Sequence, residues 1–406
     1  MKLKQFTFTF LASFWIALVS GAQPANAQSI TVIAEGLDNA RGLTVGPDGS
    51  IYVTESGVGG DGVCGPSPSV LRQPLCAGKS GAVTIITPKG KQKRIITKLP
   101  SLALIPSQTE AAGAQDIKFD HAGNAYLLFG FAGNPTTRDQ EINASVGNPN
   151  PPDAVLNLPG LAKLYKVDLS TGKLTEIVDF AAYELANNPD GGGVFTNPYT
   201  LTLFGDTAFV ADAGANAIYS VNLDGSNLQG ISIPTQVVQN PEFPPLQPGQ
   251  VPPPGAPPGG GAPDQINLQS VPTGVAIGPD GYLYVSELTG FPYPEGEARI
   301  YRIGPDGKPE VFAEGFTQIS DLEFDQQGNL FVLQFADQAQ WKGILQELPG
   351  SLIRLAPDGT RTTVVEAGEG IVSATALAVG PDGSIYVTNK GAGPDSGEVL
   401  KIELNR

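Results

Sequence analysis

Short stretches of alternating apolar and polar residues recur along this chain in pairs, and each pair is broken by a turn rich in glycine and aspartate. The clearest pair is LTV-GPDGS-IYVT. Its core VGPDGSIYVT (Val45–Thr54) returns letter for letter at Val379–Thr388, and as IGPDGYLYVS at Ile277–Ser286. Alternation with period 2 puts one face of each segment toward a core, which predicts two antiparallel strands. Between them Pro presets φ, Asp caps the turn and Gly takes the φ > 0 position. Weaker copies fill the gaps: FDHAGNAYLLF (Phe119–Phe129), LFGDTAFVAD (Leu203–Asp212) and FDQQGNLFVLQ (Phe324–Gln334). The six copies are anchored at Tyr52, Tyr126, Phe209, Tyr284, Phe331 and Tyr386.

Five copies are followed by a second hairpin, beginning at Ala82, Lys163, Ala217, Arg299 and Ser351. The sixth has only EVLKIEL at the C-terminus, and SITVIAEGL near the N-terminus supplies its missing outer strand. Repeats of one four-stranded unit that close on themselves predict an all-β fold, a six-bladed β-propeller of the NHL/TolB-like kind. Closure through the two termini removes the exposed sheet edge. The predicted domain spans residues 28–406, with a Pro/Gly-rich insertion at 234–268.

With strands labelled A to D from the axis outward, the tight A–B and C–D turns lie on one face. The long connections lie on the other: Ser56–Ser80, Gly130–Leu161, Tyr183–Thr196, the Pro/Gly tract, Leu288–Glu297 and Ala336–Gly350. Large loops gathered on one face of a rigid scaffold mark the working face. The tract Pro234–Pro263 holds 11 prolines. It is expected to make no ladder hydrogen bonds and to run as an extended or disordered loop.

Residues 1–27 read as a signal peptide, with Lys2 and Lys4 ahead of apolar Phe6–Val19 and an Ala25-Asn26-Ala27 cleavage site. The chain is thus expected to be periplasmic or secreted. Without the signal, 22 basic residues face 40 acidic ones, a net of −18. That charge excludes nucleic acid and anionic membranes as natural partners. Cys64 and Cys76 are the only cysteines, and in an exported chain they are expected to form a disulfide.

Polar side chains that interrupt the inner strands are the candidates for chemistry. Strand A is entered by Arg41, Asp116, Asn197, Thr273, Asp321 and Thr375. Strand B exits through Glu55, Asp212, Glu287, Gln334 and Asn389. Oxygens converging from different blades suit Ca²⁺, with Asp116, Asn197 and Asp321 as its ligands. The strand-B acids have a competing structural role, bonding the backbone of the adjoining loop. His121, the only histidine, sits in an A–B turn on the opposite face. A Ser-His-Asp triad or a histidine-ligated zinc site at the working face is therefore excluded.

The sequence resembles the ScyD/ScyE family, exported NHL-type propellers associated with scytonemin biosynthesis clusters of cyanobacteria. The motifs that carry the likeness are GLDNARGLTVGPDGSIYVTESGVGG (Gly36–Gly60), SGAVTIIT followed by LPSLA (Leu99–Ala103), FGFAGNP (Phe129–Pro135), YELANNPDGGGVFTNPY (Tyr183–Tyr199) and the GEVLKI ending. The resemblance implies a periplasmic or secreted propeller linked to assembly of an indolic-phenolic pigment, and it carries over no catalytic residues. The expected function is ligand binding or scaffolding at the loop-rich face. The alternatives are a Ca²⁺-dependent lactonase with its metal at the channel mouth, and a purely structural extracellular protein.

Overall fold

Six four-stranded antiparallel units surround a central channel in the computed structural model, which describes residues 27–68, 73–147, 152, 154–245 and 262–405. Blade 1 runs A (Ala40–Val45), B (Ile51–Glu55), C (Pro74–Ile86) and D (Gln92–Leu104). Blade 2 runs Ala114–Phe119, Ala125–Phe129, Lys163–Asp168 and Lys173–Asp179. Blade 3 runs Pro198–Phe204, Thr207–Asp212, Ala217–Asn222 and Gln229–Ser232. Blade 4 runs Pro272–Ile277, Leu283–Glu287, Ala298–Ile303 and Pro309–Phe316. Blade 5 runs Ile319–Phe324, Leu330–Gln334, Ser351–Leu355 and Arg361–Val365. Blade 6 has Ala376–Val379, Ile385–Asn389 and Gly397–Leu404, and its outer strand is Ala27–Leu37. That N-terminal strand pairs antiparallel to the last one, with Ile30 opposite Ile402 and Val32 opposite Leu400.

The repeated turn folds as its residues dictate. Asp48 accepts from the Ser50 N–H at 3.0 Å, and its second oxygen accepts from the Ser50 hydroxyl. The anchor tyrosine of the unit then donates to the same aspartate: Tyr52 to Asp48, Tyr126 to Asp120 and Tyr284 to Asp280. In the FDHAGN copy, Asp120 does this work from two positions upstream, which leaves His121 exposed in the turn. Apolar residues between the blades form the core, with Leu127 and Phe129 in one cluster and Leu333 and Leu377 in another.

A belt of hydrogen bonds joins all six inner strands. The Thr54 hydroxyl donates to the Gln115 carbonyl, linking blades 1 and 2. The Leu201 N–H donates to Asp116, linking 2 and 3. Thr200 donates to the Thr273 carbonyl, and Thr273 to that of Ile319. The Leu377 N–H donates to Asp321, and Thr375 closes the ring on the Ala40 carbonyl. Sheet ladders cannot cross between blades, so side chains provide this connection.

Three expectations change. Strand C of blade 1 begins at Pro74 rather than Ala82. Cys76 therefore lies within it, opposite Cys64 in the short strand Cys64–Pro66, and the two form a disulfide. The Tyr183–Thr196 connection opens with a helix, Phe180–Asn187, capped by the Asp179 carboxylate on the Ala182 N–H. The Pro/Gly tract does make ladder bonds at its root, where Gln236–Gln239 pairs with Gln265–Leu268. The signal-peptide assignment and most of the proline run lie outside the described residues. Among the described residues, no helix is long and apolar enough to cross a membrane.

Candidate functional site

Asp116 and Asp321 occupy the third position of strand A in blades 2 and 5. That places them in mid-channel, below the mouth where the sequence pattern suggested. They play the same part three blades apart. Each accepts from the N–H of its own successor, Ile117 or Leu322, at 2.8 Å, and from the next blade's strand A, Leu201 or Leu377, at 2.9 Å. Gly42 leaves room for Asp116, since a Cβ there would lie 2.3 Å from its Oδ1. Burial pushes the Asp321 carboxyl up to about 7, against the opposing pull of Lys118 and the backbone donors. Burial raises Asp116 as well.

The residue that holds these carboxylates together is Lys118, and it was not among the sequence candidates. Its Nζ lies 3.4 Å from Asp116 and donates to the Leu43 carbonyl of blade 1 at 3.2 Å. Burial disfavours the ammonium, yet Asp116, Asp321 and Glu323 together raise its pKa. Glu323, the equivalent residue in blade 5, is pushed up to about 7 by burial. Two neighbouring carboxylates need a positive charge between them, and here a lysine of the chain supplies it. The signal was legible in the parallel strings DIKFD and DLEFD, where every second residue is charged. Asp116, Lys118, Asp321 and Glu323, with Thr44 and Thr202, line a cavity of 220 Å³. Its lining runs from mid-channel to the turn end of strand A, away from the long loops.

The residues that end strand B are backbone caps. Glu55 accepts from the Asp38 N–H, the Thr84 hydroxyl and Arg94. Asp212 accepts from the N–H groups of Asn197, Gly214 and Ala215 and from the Thr196 hydroxyl. Burial still raises it to about 6. Gln334 caps Thr317, and Asn389 caps Val372. Blade 2 has Phe129 at this place, and at Gly130, the next residue, a Cβ would lie 2.7 Å from Asn197 Oδ1. Asn197 instead caps the Phe131 N–H from blade 3. Glu287 differs from the rest, for its Oε1 is buried without a protein partner.

At the loop-side mouth Arg41 bridges carbonyls rather than carboxylates, donating to Gly391 at 3.1 Å and Ala111 at 2.8 Å. Burial lowers its pKa, with Tyr199 and Glu110 opposing. Asp116 accepts from the N–H groups of Ile117 and Leu201, Asn197 from that of Phe131, and Asp321 from those of Leu322 and Leu377. Among the described residues, no group of three or more His, Cys, Asp or Glu is placed to hold a metal.

The loop-rich face instead presents aromatic rings that sequence reasoning did not single out. Phe243, Phe291 and Tyr293 pack edge to face, with centroids 5.6 and 6.0 Å apart. Phe291 is half exposed. Trp341, from the blade 5 loop, donates to the Pro292 carbonyl at 3.0 Å. Lys342 lies 5.4 Å above the Trp341 ring and pairs with Glu242 and Glu295. Three separate connections thus build one aromatic surface with a charged rim. In sequence its parts are single aromatics scattered over about a hundred residues of chain, in three separate loops with no period to mark them.

No protein-family model and no curated protein matches the sequence. Among solved structures, the chain is similar to the PQQ-bound aldose sugar dehydrogenase of Streptomyces coelicolor, with 14% identity, a TM-score of 0.50 and coverage of 94% of this chain and 100% of that one. It is also similar to a gluconolactonase of Xanthomonas campestris, with 10% identity, a TM-score of 0.49 and coverage of 94% and 96%. A third is the calcium-binding protein regucalcin of Agrobacterium tumefaciens, with 12% identity, a TM-score of 0.47 and coverage of 94% of each. At such identities the likeness concerns the fold.

Proposed function

We propose that this chain is an exported propeller that binds a planar aromatic ligand at its loop-rich face and does not transform it. One observation carries the reading: the cluster of Phe243, half-exposed Phe291 and Tyr293, tied to Trp341. Exposed aromatic rings with a polar rim offer stacking area at low entropic cost. The nearby acids are committed elsewhere, to backbone caps and to Lys118. The disulfide fits an oxidising, non-cytoplasmic compartment, in line with the signal-peptide pattern. Membership of the ScyD/ScyE family would make the ligand an indolic or phenolic component of pigment assembly.

A second reading, a Ca²⁺-dependent lactonase, draws on the carboxylate-lined cavity. It requires a metal to bind beside the Lys118 ammonium, which already pairs with Asp116. Calorimetric titration with 4-nitrophenol, a planar phenolic probe, separates the readings when run alongside a lactone-hydrolysis assay with and without Ca²⁺. Saturable binding without turnover supports the binding protein. Ca²⁺-dependent turnover would establish the lactonase, and neither binding nor turnover would leave a structural extracellular protein.

A further inference from the structure

Glu287 ends strand B of blade 4 and is 1% exposed. The Ser270 and Tyr301 hydroxyls are its polar neighbours, with Arg299 across the strand. Yet Glu287 Oε1, Ser270 Oγ and Tyr301 Oη are all buried without a hydrogen-bond partner in the protein. Blade 1 shows what is missing. There Glu55 is bonded by the Thr84 hydroxyl at 2.6 Å and by Arg94 Nε at 3.0 Å. Tyr301 takes the place of Thr84, each lying opposite the valine two residues before the glutamate. Val311, opposite Tyr301, takes the place of Arg94, opposite Thr84. Blade 4 has thus kept the buried glutamate and lost its arginine. Arg299 still acts on this carboxylate, but burial outweighs it, so ionisation is costly and a proton removes the cost.

The position of this group gives it leverage. Glu287 leads into the 288–297 loop, which carries Phe291 and Tyr293. The root of that loop is three backbone bonds: Leu288 N–H to the Val271 carbonyl, Thr289 to Ser270 and Gly290 to Gln269. Ser270 sits both in this zipper and beside Glu287. Val271 and Thr289 are β-branched residues held at φ 53° and 73°, a strained conformation that persists only where the surroundings enforce it. Blade 3 contributes Ala211, Ile218 and Ile233, and its Asn216 accepts from the Val271 N–H. Arg299 and Tyr301 are the titratable groups that act on it.

We propose that Glu287 is a proton-dependent latch for the 288–297 loop: protonated, it completes the root, and ionised, it loosens the root and the aromatic surface the loop carries. The consequence for ligand capture rests on the binding reading above, but the latch does not. Burial pushes the Glu287 carboxyl up to about 8. The latch is therefore closed at neutral pH and opens in mildly alkaline solution.

Trp341 reports on the loop directly, because its Nε1 donates to Pro292, and it is the one tryptophan among the described residues. Emission of Trp341 is followed in the ligand-free protein from neutral to alkaline pH, stopping short of tyrosine ionisation. The wild type should show a red-shifting transition centred near pH 8. Glu287→Gln, a neutral isostere, should abolish it and hold the low-pH spectrum. Val311→Arg, which restores the blade 1 arrangement, should abolish it independently. A wild-type emission that does not change, or a transition that survives in either folded variant, would overturn the proposal. None of these outcomes depends on a ligand, so failure of the latch and failure of the binding reading are distinguishable.

Discussion

Gly42, Asp116 and Lys118 form one unit in which each residue makes sense only through the others. The glycine leaves space for the carboxylate, the carboxylate receives the free N–H of the neighbouring blade, and the lysine neutralises it. Asp116→Asn puts an amide where two N–H groups already point, and should cost about 1–3 kcal/mol of stability by denaturant unfolding. Lys118→Met should destabilise by a similar order, about 1–3 kcal/mol, and most strongly at high pH, where the acids it faces are ionised. The buried acids give a wider pH signature. Burial raises Asp212 to about 6, Asp321, Glu323 and Glu184 to about 7, and Glu287 to about 8. The native state therefore retains protons that the unfolded chain releases near the ordinary carboxylate pKa, about 4. Their contribution to stability is full in acid below that value and is lost as pH rises through the folded values. The melting temperature should fall by several degrees between pH 5 and pH 8, roughly 1 kcal/mol corresponding to a few degrees. A melting temperature that rises over this interval would show that the acids are ionised in the native state.

At the level of elements, the ring is held by pairings the alternating pattern made legible and by ties it did not. The split blade could be read from the termini, because EVLKIEL lacks an outer partner and SITVIAEGL has no blade of its own. Deleting Ser29–Leu37 should leave the last strand unpaired and lower the melting temperature sharply or cause aggregation. An unchanged melt would contradict the closure. By contrast, the loop after strand B of blade 2 is organised by Arg138, which is 1% exposed. It pairs with Asp139 and Asp179, the cap of the helix that follows, and donates to the Leu161 carbonyl. No periodicity announces such a buried arginine. Arg138→Met leaves buried Asp139 without its counter-charge and Asp179 with Lys163 alone, and should cost about 3–5 kcal/mol. Its unfolding midpoint in urea is the check.

Across the whole molecule, the six-fold repetition that identifies the blades also conceals the site. Turn residues such as Asp48 and Tyr52 recur from blade to blade, so the sequence makes them conspicuous. The residues that differ between blades decide the chemistry: Lys118 against Glu323 in the channel, Glu287 without the arginine that Glu55 has, and the aromatics of three unrelated loops. Asp116 and Asp321 stand out in the sequence as breaks in the apolar pattern. The height at which they sit in the channel is not specified by spacing alone. The central claim is that the channel acids are structural and the aromatic loop face is the binding surface. The most direct measurement compares 4-nitrophenol binding by wild type, Phe291→Ala and Asp321→Asn, by calorimetry well below the melting temperature of each. The account predicts that Phe291→Ala abolishes binding and Asp321→Asn leaves the dissociation constant within about twofold, a difference under ~0.5 kcal/mol. Binding that survives in Phe291→Ala and is lost in Asp321→Asn would contradict it and return the site to the channel.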